Sequence, residues 1–266
     1  MLARTTFGRL HFDLLGDADA PVVCMLHSLT SDSGMWADQV PALLTGGYQI
    51  LRLDMRGHGG SDGPAGPYAV EDLAGDVITV LDGLDFAAVH LVGLSIGGMI
   101  GQVLAATYPN RLKSLTACAT TSRWTGDTEM MQRRLALVQA SGTLEAIVDD
   151  AMEQRYSPVV RATRPTHWRA LREAFLGTSM SGYLGCMDAV LNHDVLNRLS
   201  NIRSPTLVIS GSDDPVTPAA TGKIIADAVP GAGYEVIAGG RHLLNVEYPD
   251  TFNRLLLRWL SSVEAR

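Results

Sequence analysis

The fold is decided by the stretch Val89-His90-Leu91-Val92-Gly93-Leu94-Ser95-Ile96-Gly97-Gly98. Its apolar first half predicts a buried strand, and a run compatible with a helix follows from Met99 to Thr107. Gly-x-Ser-x-Gly between a strand and a helix is typical of a sharp turn that presents a nucleophilic serine. Glycines flank the serine because side chains there would collide with the neighbouring strand and helix. The pattern predicts that Ser95 is a nucleophile; an ordinary strand-to-helix turn that holds a serine is the alternative.

Strand-like and helix-like segments alternate on both sides of this stretch. Apolar runs predict central strands, covered on both faces, over residues 22–26, 48–54, 112–119, 206–210 and 234–238. Apolar and polar residues alternate over 10–14, which predicts an antiparallel strand near the sheet edge. Helical spacing of apolar residues predicts helices over 35–44, 68–84, 218–229 and 252–260. This order indicates an α/β protein with a mostly parallel sheet, in which ligands bind at the carboxyl ends of the strands.

The pattern changes between residues 122 and 201. No clear strand is visible there, and arginine is frequent. Helical runs are predicted over residues 130–141, 144–155, 167–176 and 187–199. We therefore predict a core formed by residues 1–121 and 202–266, with a helical cap, residues 122–201, inserted between two of its strands.

Composition excludes several classes of function. The chain has 266 residues, 46% of them hydrophobic and 18% charged, with a net charge of −7. No basic run indicates nucleic-acid binding, and no apolar stretch predicts a signal peptide or a membrane span. Cys24, Cys118 and Cys186 are odd in number and scattered, which favours reduced, buried thiols in a cytoplasmic protein. No spacing typical of metal ligands is present, so we expect no metal or organic cofactor. The sequence does not indicate an oligomeric state.

The polar loops that follow the later strands supply partners for the serine. A serine hydroxyl needs an adjacent base, and the base needs a carboxylate that holds it in one tautomer. Asp213 and Asp214 follow the strand over 206–210, and His242 lies in the loop after the last strand. Asp214 is the preferred acid because Asp-Pro-Val-Thr-Pro places it at the turn into the next helix, whereas Asp213 is expected to be solvated. We predict Ser95, His242 and Asp214 as a catalytic triad.

An oxyanion hole needs two N–H donors. One is predicted to be the N–H of Ile96, directly after the nucleophile. The other is predicted to be the N–H of Leu29, in the loop after the strand over 22–26. His27 is expected to tie this loop down by hydrogen bonding, and His58 is expected to brace the Arg-Gly-His-Gly loop.

At this point the chain resembles the α/β-hydrolase superfamily over nearly its full length. Within that superfamily it looks most like the 3-oxoadipate enol-lactonases of aromatic degradation. The similar segments are His27-Ser28-Leu29, the elbow Gly-Leu-Ser-Ile-Gly-Gly-Met-Ile-Gly-Gln, Gly182–Cys186 and Asp214–Pro218. The resemblance implies a mostly parallel central sheet with helices on both faces, an inserted helical cap, and hydrolysis of a carboxylic ester or lactone through an acyl-enzyme. Two departures are Thr30, where those lactonases usually have glycine, and the residues around Arg123.

The implied lactone carries a carboxylate, which favours a cationic pocket. The candidates by location are Arg123, Arg133, Arg134 and Arg155. Trp124 and Trp36 are candidates to line the acyl pocket, or simply to pack. The partner is expected to be a small ester or lactone, with no nucleic acid and no membrane. A general carboxylesterase or a carbon–carbon bond hydrolase with the same triad remains an alternative, as does, from another class, a ligand receptor with weak residual hydrolysis.

Overall fold

A computed structural model describes residues 1–265 and shows one eight-stranded sheet. The strands are β1 (Leu2–Arg4), β2 (Arg9–Leu15), β3 (Val22–Leu26), β4 (Gln49–Leu53), β5 (Val89–Leu94), β6 (Leu112–Cys118), β7 (Thr206–Gly211) and β8 (Gly233–Ile237). Their order in the sheet is β1-β2-β4-β3-β5-β6-β7-β8. Strands β3 to β8 pair in parallel, and β1 and β2 are antiparallel at one edge. The predicted mostly parallel sheet is confirmed, with β1 as an additional edge strand.

Helices connect the strands and follow the last of them. They are α1 (Val40–Thr45), α2 (Val70–Gly83), α3 (Ile96–Thr107), α4 (Thr128–Ser141), α5 (Val148–Arg155), α6 (Pro158–Thr163), α7 (Pro165–Gly177), α8 (Met180–Leu191), α9 (Ala219–Ala228), α10 (Leu244–Glu247) and α11 (Pro249–Glu264). Short 3-10 turns occupy Ser33–Trp36, Pro109–Arg111, Leu144–Ala146 and Leu196–Asn201.

Burial explains why the apolar runs are central strands. Every residue of β3, β5 and β7 is buried, so both faces of the sheet are covered there. The terminal helix α11 buries Phe252, Leu256 and Leu260, which recur at helical spacing on one face. All three cysteines are buried and free, in agreement with the sequence-based prediction.

Three predicted helices have different boundaries in the structure. The segment predicted as one helix over 144–155 is a 3-10 turn followed by α5. The segment predicted as one helix over 35–44 is a 3-10 turn followed by α1, because Pro41 lacks an N–H and restarts the helix. The helix predicted over 187–199 is α8, which begins earlier because the Ser179 hydroxyl accepts the Gly182 N–H and caps it. Gly182 lies against Gly57, where a Cβ would come within 2.6 Å of the Gly57 Cα. A glycine is therefore needed where α8 meets the core of the sheet domain.

Helices α4 to α8 all lie between β6 and β7. We call residues 122–201 the inserted helical segment. Its two ends are joined by a single antiparallel bridge between Arg123 and Asp194. The division into a core and a separate cap domain stays a prediction. Within residues 1–265, no helix combines the length and apolarity that a membrane crossing requires.

Candidate active site

Ser95 occupies the turn between β5 and α3 in a strained backbone conformation. Its φ is 59° and its ψ is −118°, a region that side chains rarely adopt. The flanking glycines permit this turn, because a Cβ on Gly97 would come within 2.3 Å of the Leu26 carbonyl oxygen. The Ser95 N–H donates to the Cys118 carbonyl (2.9 Å), and the Thr120 hydroxyl donates to the Ser95 carbonyl (2.7 Å). Steric exclusion and hydrogen bonds together hold the serine at the carboxyl end of β5.

Asp214 and His242 form a buried hydrogen-bonded pair. The His242 Nδ1 lies 2.9 Å from the Asp214 Oδ2. The Thr217 hydroxyl also donates to Oδ2 (2.7 Å), while the N–H groups of Val216 and Thr217 donate to Oδ1 (2.8 and 3.1 Å). Burial alone raises the pKa of the Asp214 carboxyl, but His242 and the bonds from Thr217 together hold it below its usual range. The carboxylate stays charged and keeps the proton of His242 on Nδ1, which leaves Nε2 free to act as a base.

Ser95 and His242 line the same cavity. It contains about 560 Å³ of empty volume, counting its open mouth. Most of the remaining lining is apolar, including Met99, Phe175 and Met187. Asp213 is exposed, as predicted, and Asp214 is buried behind His242. The structure thus brings the three predicted triad residues to one end of the sheet.

The loop after β3 presents a free N–H to this cavity. Leu29 lines the cavity, and its N–H has no acceptor among residues 1–265. The preceding Ser28 carbonyl accepts hydrogen bonds from the His27 Nδ1 (2.7 Å) and the Ser31 N–H (3.1 Å). Because the N–H and C=O of a trans peptide point in opposite directions, these bonds also orient the Leu29 N–H. The N–H of Ile96, first in α3, has no acceptor within its helix.

Two buried histidines, both neutral, hold the loop after β3 in place by hydrogen bonds. We call this loop the Leu29 loop. The His27 Nε2 accepts the Met55 N–H (2.9 Å), and burial lowers the pKa of His27. The His58 Nε2 accepts the Thr30 N–H (3.0 Å), and burial lowers the pKa of His58 to about 3. The predicted bracing roles of both histidines are confirmed. His58 braces the Leu29 loop as well as its own.

Thr30 is a second residue with a positive φ, at 57°. This conformation favours glycine, which explains why Thr30 stood out as a departure from the lactonase pattern. The Thr30 hydroxyl donates to the Leu29 carbonyl (2.6 Å), and that carbonyl also accepts the Arg155 Nη1 (2.8 Å). Polar contacts therefore stabilise a conformation that the side chain disfavours.

The predicted substrate-binding residues separate into two groups. Trp124 lines the cavity, whereas Trp36 is fully buried and packs against Phe252, with ring centroids 6.1 Å apart. Arg123 and Arg133 do not line the cavity, since they lie on exposed surfaces and pair with Asp194 (2.7 Å) and Glu129 (2.8 Å), respectively. The arginines that do line it are Arg134 and Arg155. The structure therefore brings Trp124 into the cavity and leaves out Arg123, Arg133 and Trp36.

Sequence reasoning missed the residues that orient the triad. Thr217 gives Asp214 two of its four hydrogen bonds. An Asp followed three residues later by Thr at a turn into a helix is the only signal that the sequence offered. Thr120 bonds the Ser95 carbonyl from the end of a neighbouring strand, and no local pattern indicates this.

This strand order, with a serine on a strained turn after β5 and a histidine–aspartate pair from later loops, defines the α/β-hydrolase class. The chain belongs to the alpha/beta hydrolase fold family, whose model matches residues 21–249. It is 33% identical to 3-oxoadipate enol-lactonase 2 of Acinetobacter baylyi, over 92% of this chain and 90% of that protein. It is 31% identical to a putative carbamate hydrolase of Pantoea ananatis, over 94% of this chain and 93% of that one. The crystal structure of the enol-lactonase from Burkholderia xenovorans superimposes with a TM-score of 0.94 at 32% identity, covering 98% of this chain and all of the other.

Proposed function

We propose that this protein is a serine hydrolase that cleaves a carboxylic ester or lactone through an acyl-enzyme. The observation that carries the proposal is that Ser95 and His242 line one cavity while the His242 Nδ1 bonds a buried carboxylate. That arrangement leaves Nε2 as the free base of the pair. The family membership and the relatives named hydrolases or lactonases support the same reaction class.

The proposed reaction uses these groups in turn. His242 takes the proton of the Ser95 hydroxyl, and the oxygen attacks the substrate carbonyl. The N–H groups of Leu29 and Ile96 stabilise the oxyanion, and losing one such donor typically costs about 3 kcal/mol of transition-state stabilisation. The leaving oxygen takes the proton from His242, and a water activated by the same histidine then releases the acid. When the substrate is a lactone, the leaving oxygen stays attached to the acyl group.

We propose 3-oxoadipate enol-lactone as the substrate. Two relatives with enol-lactonase names match this chain over at least nine-tenths of both lengths, which supports this choice. We also propose that the inserted helical segment acts as a cap over the cavity, because it supplies Trp124, Arg134, Arg155 and Phe175 to the lining. A general carboxylesterase is the second candidate, favoured by the mainly apolar lining.

The test is kcat/KM for 3-oxoadipate enol-lactone and for p-nitrophenyl acetate, on the wild type and on Ser95→Ala. A lactone value of about 10⁵ M⁻¹s⁻¹ or more, far above the ester value, is expected for the proposed lactonase. Turnover of the simple ester alone would retain the serine hydrolase and remove the lactonase assignment. Turnover below about one per hour on both would favour a ligand receptor, since typical enzymes reach 1–10³ per second.

A further inference from the structure

The charged side chains that line the cavity are two arginines from the inserted helical segment. Arg134 donates to the carboxylate of Asp150, which neutralises its charge. Arg155, the last residue of α5, has no carboxylate partner within residues 1–265. Its guanidinium contacts only uncharged groups: the Leu29 carbonyl, the Thr30 hydroxyl and the face of the Phe175 ring, 5.3 Å from its centroid.

Most arginines of the inserted helical segment have a carboxylate partner. Arg161 and Arg169 have none within residues 1–265, but both are exposed to solvent, whereas Arg155 lines the cavity. Arg123, Arg133, Arg164 and Arg172 each pair with an aspartate or glutamate. Arg155 differs from them in lining the cavity, and burial lowers its pKa. A cation withdrawn from water without a partner costs several kcal/mol, so such a group is usually paired by a carboxylate or by a ligand.

The other ionisable groups at the cavity do not supply that partner. An imidazole such as that of His242 carries no negative charge in either form, and burial raises the pKa of the Tyr183 hydroxyl, which keeps it uncharged. Asp214 is not part of the lining, and its oxygens are occupied by His242, Thr217 and the Val216 N–H. With Arg134 paired to Asp150, Arg155 is the one charged group of the described lining that no carboxylate contacts; Asp214 acts on it only from behind His242.

The free donors of Arg155 suit a carboxylate. Its Nη1 is used by Leu29 and Thr30, whereas Nε and Nη2 have no acceptor within residues 1–265. Nε and Nη2 form one edge of the guanidinium fork, which binds the two oxygens of a carboxylate in parallel. Nη1 bonds the carbonyl of Leu29, the same residue whose N–H we assign to the oxyanion hole, and both residues line the cavity.

We infer that Arg155 is an anion-binding subsite that holds a carboxylate of the substrate beside the reacting carbonyl. The substrate class is then an ester or lactone with a free carboxylate a few bonds from its scissile group. This inference rests on the proposed function and restricts its substrates. Arg155 is a binding residue here, in addition to its contact with the Leu29 loop.

The test compares substrates that differ only in charge. Monomethyl succinate and monomethyl glutarate are each paired with the isosteric ester in which the free carboxylate is a carboxamide. Initial rates, followed by base uptake at constant pH, give the ratio of kcat/KM for carboxylate over carboxamide. The ratio is measured for the wild type, Arg155→Met, Arg155→Lys and the exposed control Arg133→Met. Binding of glutarate and of its monoamide to Ser95→Ala, with and without Arg155→Met, is measured by calorimetry.

One of the two ester pairs, succinate or glutarate, will fit the cavity better. In that pair we expect the wild type and Arg133→Met to have a higher kcat/KM for the carboxylate ester than for the carboxamide ester. Arg155→Met should lower that preference by about 10- to 100-fold, as for loss of a charged hydrogen bond, and Arg155→Lys should restore part of it. A wild-type ratio near one, or an equal fall for both esters in Arg155→Met, would overturn the inference, since displacement of the Leu29 loop alone slows both. If these esters, the lactone and p-nitrophenyl acetate are all left intact, the proposed function fails, and the calorimetry decides the inference separately: equal binding of glutarate and its monoamide to Ser95→Ala would overturn it.

Discussion

Two turns that follow the neighbouring strands β3 and β5 share a positive φ for different reasons. Ser95 has a φ of 59° and Thr30 a φ of 57°. At Ser95 the cause is steric, because a Cβ at position 93 or 97 would collide with the carbonyl of Gly97 or of Leu26, respectively. At Thr30 the cause is polar and distant, because His58 and Arg155 hold the Leu29–Thr30 peptide at its N–H and its carbonyl.

The difference shows how strain is maintained at a site. A positive φ costs a residue with a Cβ roughly 1–2 kcal/mol, and the surrounding structure must supply that energy. At the turn around Ser95, the elbow, close backbone packing holds the serine in its positive-φ conformation. The Leu29–Thr30 unit makes four hydrogen bonds, three of them with residues more than 25 positions away in sequence. The elbow should therefore be the more rigid of the two and the loop the more readily altered.

The largest expected effect comes from removing the nucleophile. Ser95→Ala should lower kcat by about 10⁴-fold or more, because the base then has no hydroxyl to activate. Ser95→Gly should be equally inactive but more stable than Ser95→Ala by about 1 kcal/mol, since glycine adopts a positive φ without strain. Steady-state kinetics and urea unfolding measure the two effects. Equal stability of the two variants would show that the elbow is not strained.

Gly97→Ala tests the steric origin of the elbow. Its Cβ would lie 2.3 Å from the Leu26 carbonyl oxygen, so we expect a loss of about 3 kcal/mol or more in the free energy of unfolding. Gly75→Ala is the matched control, because Gly75 lies in α2 with nothing within 4 Å of its Cβ position. That control should gain up to about 1 kcal/mol from helix propensity. Similar unfolding midpoints for both variants would contradict the steric explanation.

His58 makes the Leu29 loop sensitive to acid. Its pKa is about 3 in the folded protein, below the ordinary 6.5, so the unfolded chain binds more protons between these values. Stability should therefore rise with pH from about 3 to about 6.5, and His58 should contribute about 2 kcal/mol of the change between pH 5 and pH 7. His58→Gln should flatten this dependence in urea unfolding curves. If the free energy of unfolding depends on pH equally steeply in the wild type and in His58→Gln, other buried groups cause the dependence.

The smallest expected effect is at Thr30. Thr30→Gly removes the strain of the positive φ but also the hydroxyl that bonds the Leu29 carbonyl. Thr30→Ala removes the hydroxyl and keeps the strain, so Thr30→Gly should be the more stable by about 1 kcal/mol. Thermal unfolding compares the two directly, and kcat/KM of Thr30→Gly should stay within about 10-fold of the wild type. If Thr30→Ala is the more stable, the loop is not held under strain.

Much of the fold was predictable because it depends on near neighbours in the chain. A central strand is buried on both faces, so it is a run of five or six apolar residues, as in β3 and β5. Such a run can be recognised in the sequence without knowledge of the structure. The helix boundaries that differ combine local signals, such as Pro41 and the Ser179 cap, with a distant one, since the Ser179 N–H also bonds the Gly57 carbonyl (2.8 Å). Gly182 lies within α8 because it packs against Gly57, more than a hundred residues earlier in the chain.

The sequence by itself determined the elbow, the positions of Ser95, Asp214 and His242 after their strands, and the alternation that forms a parallel sheet. These depend on side-chain size, spacing and strand order, which are local or topological properties. Only the tertiary structure decided which cations face the cavity. Arg133 and Arg134 are adjacent in sequence, yet Arg133 pairs with Glu129 on the surface while Arg134 lines the cavity. The charge that a substrate meets depends on which carboxylates lie opposite in space, and spacing along the chain does not contain that information.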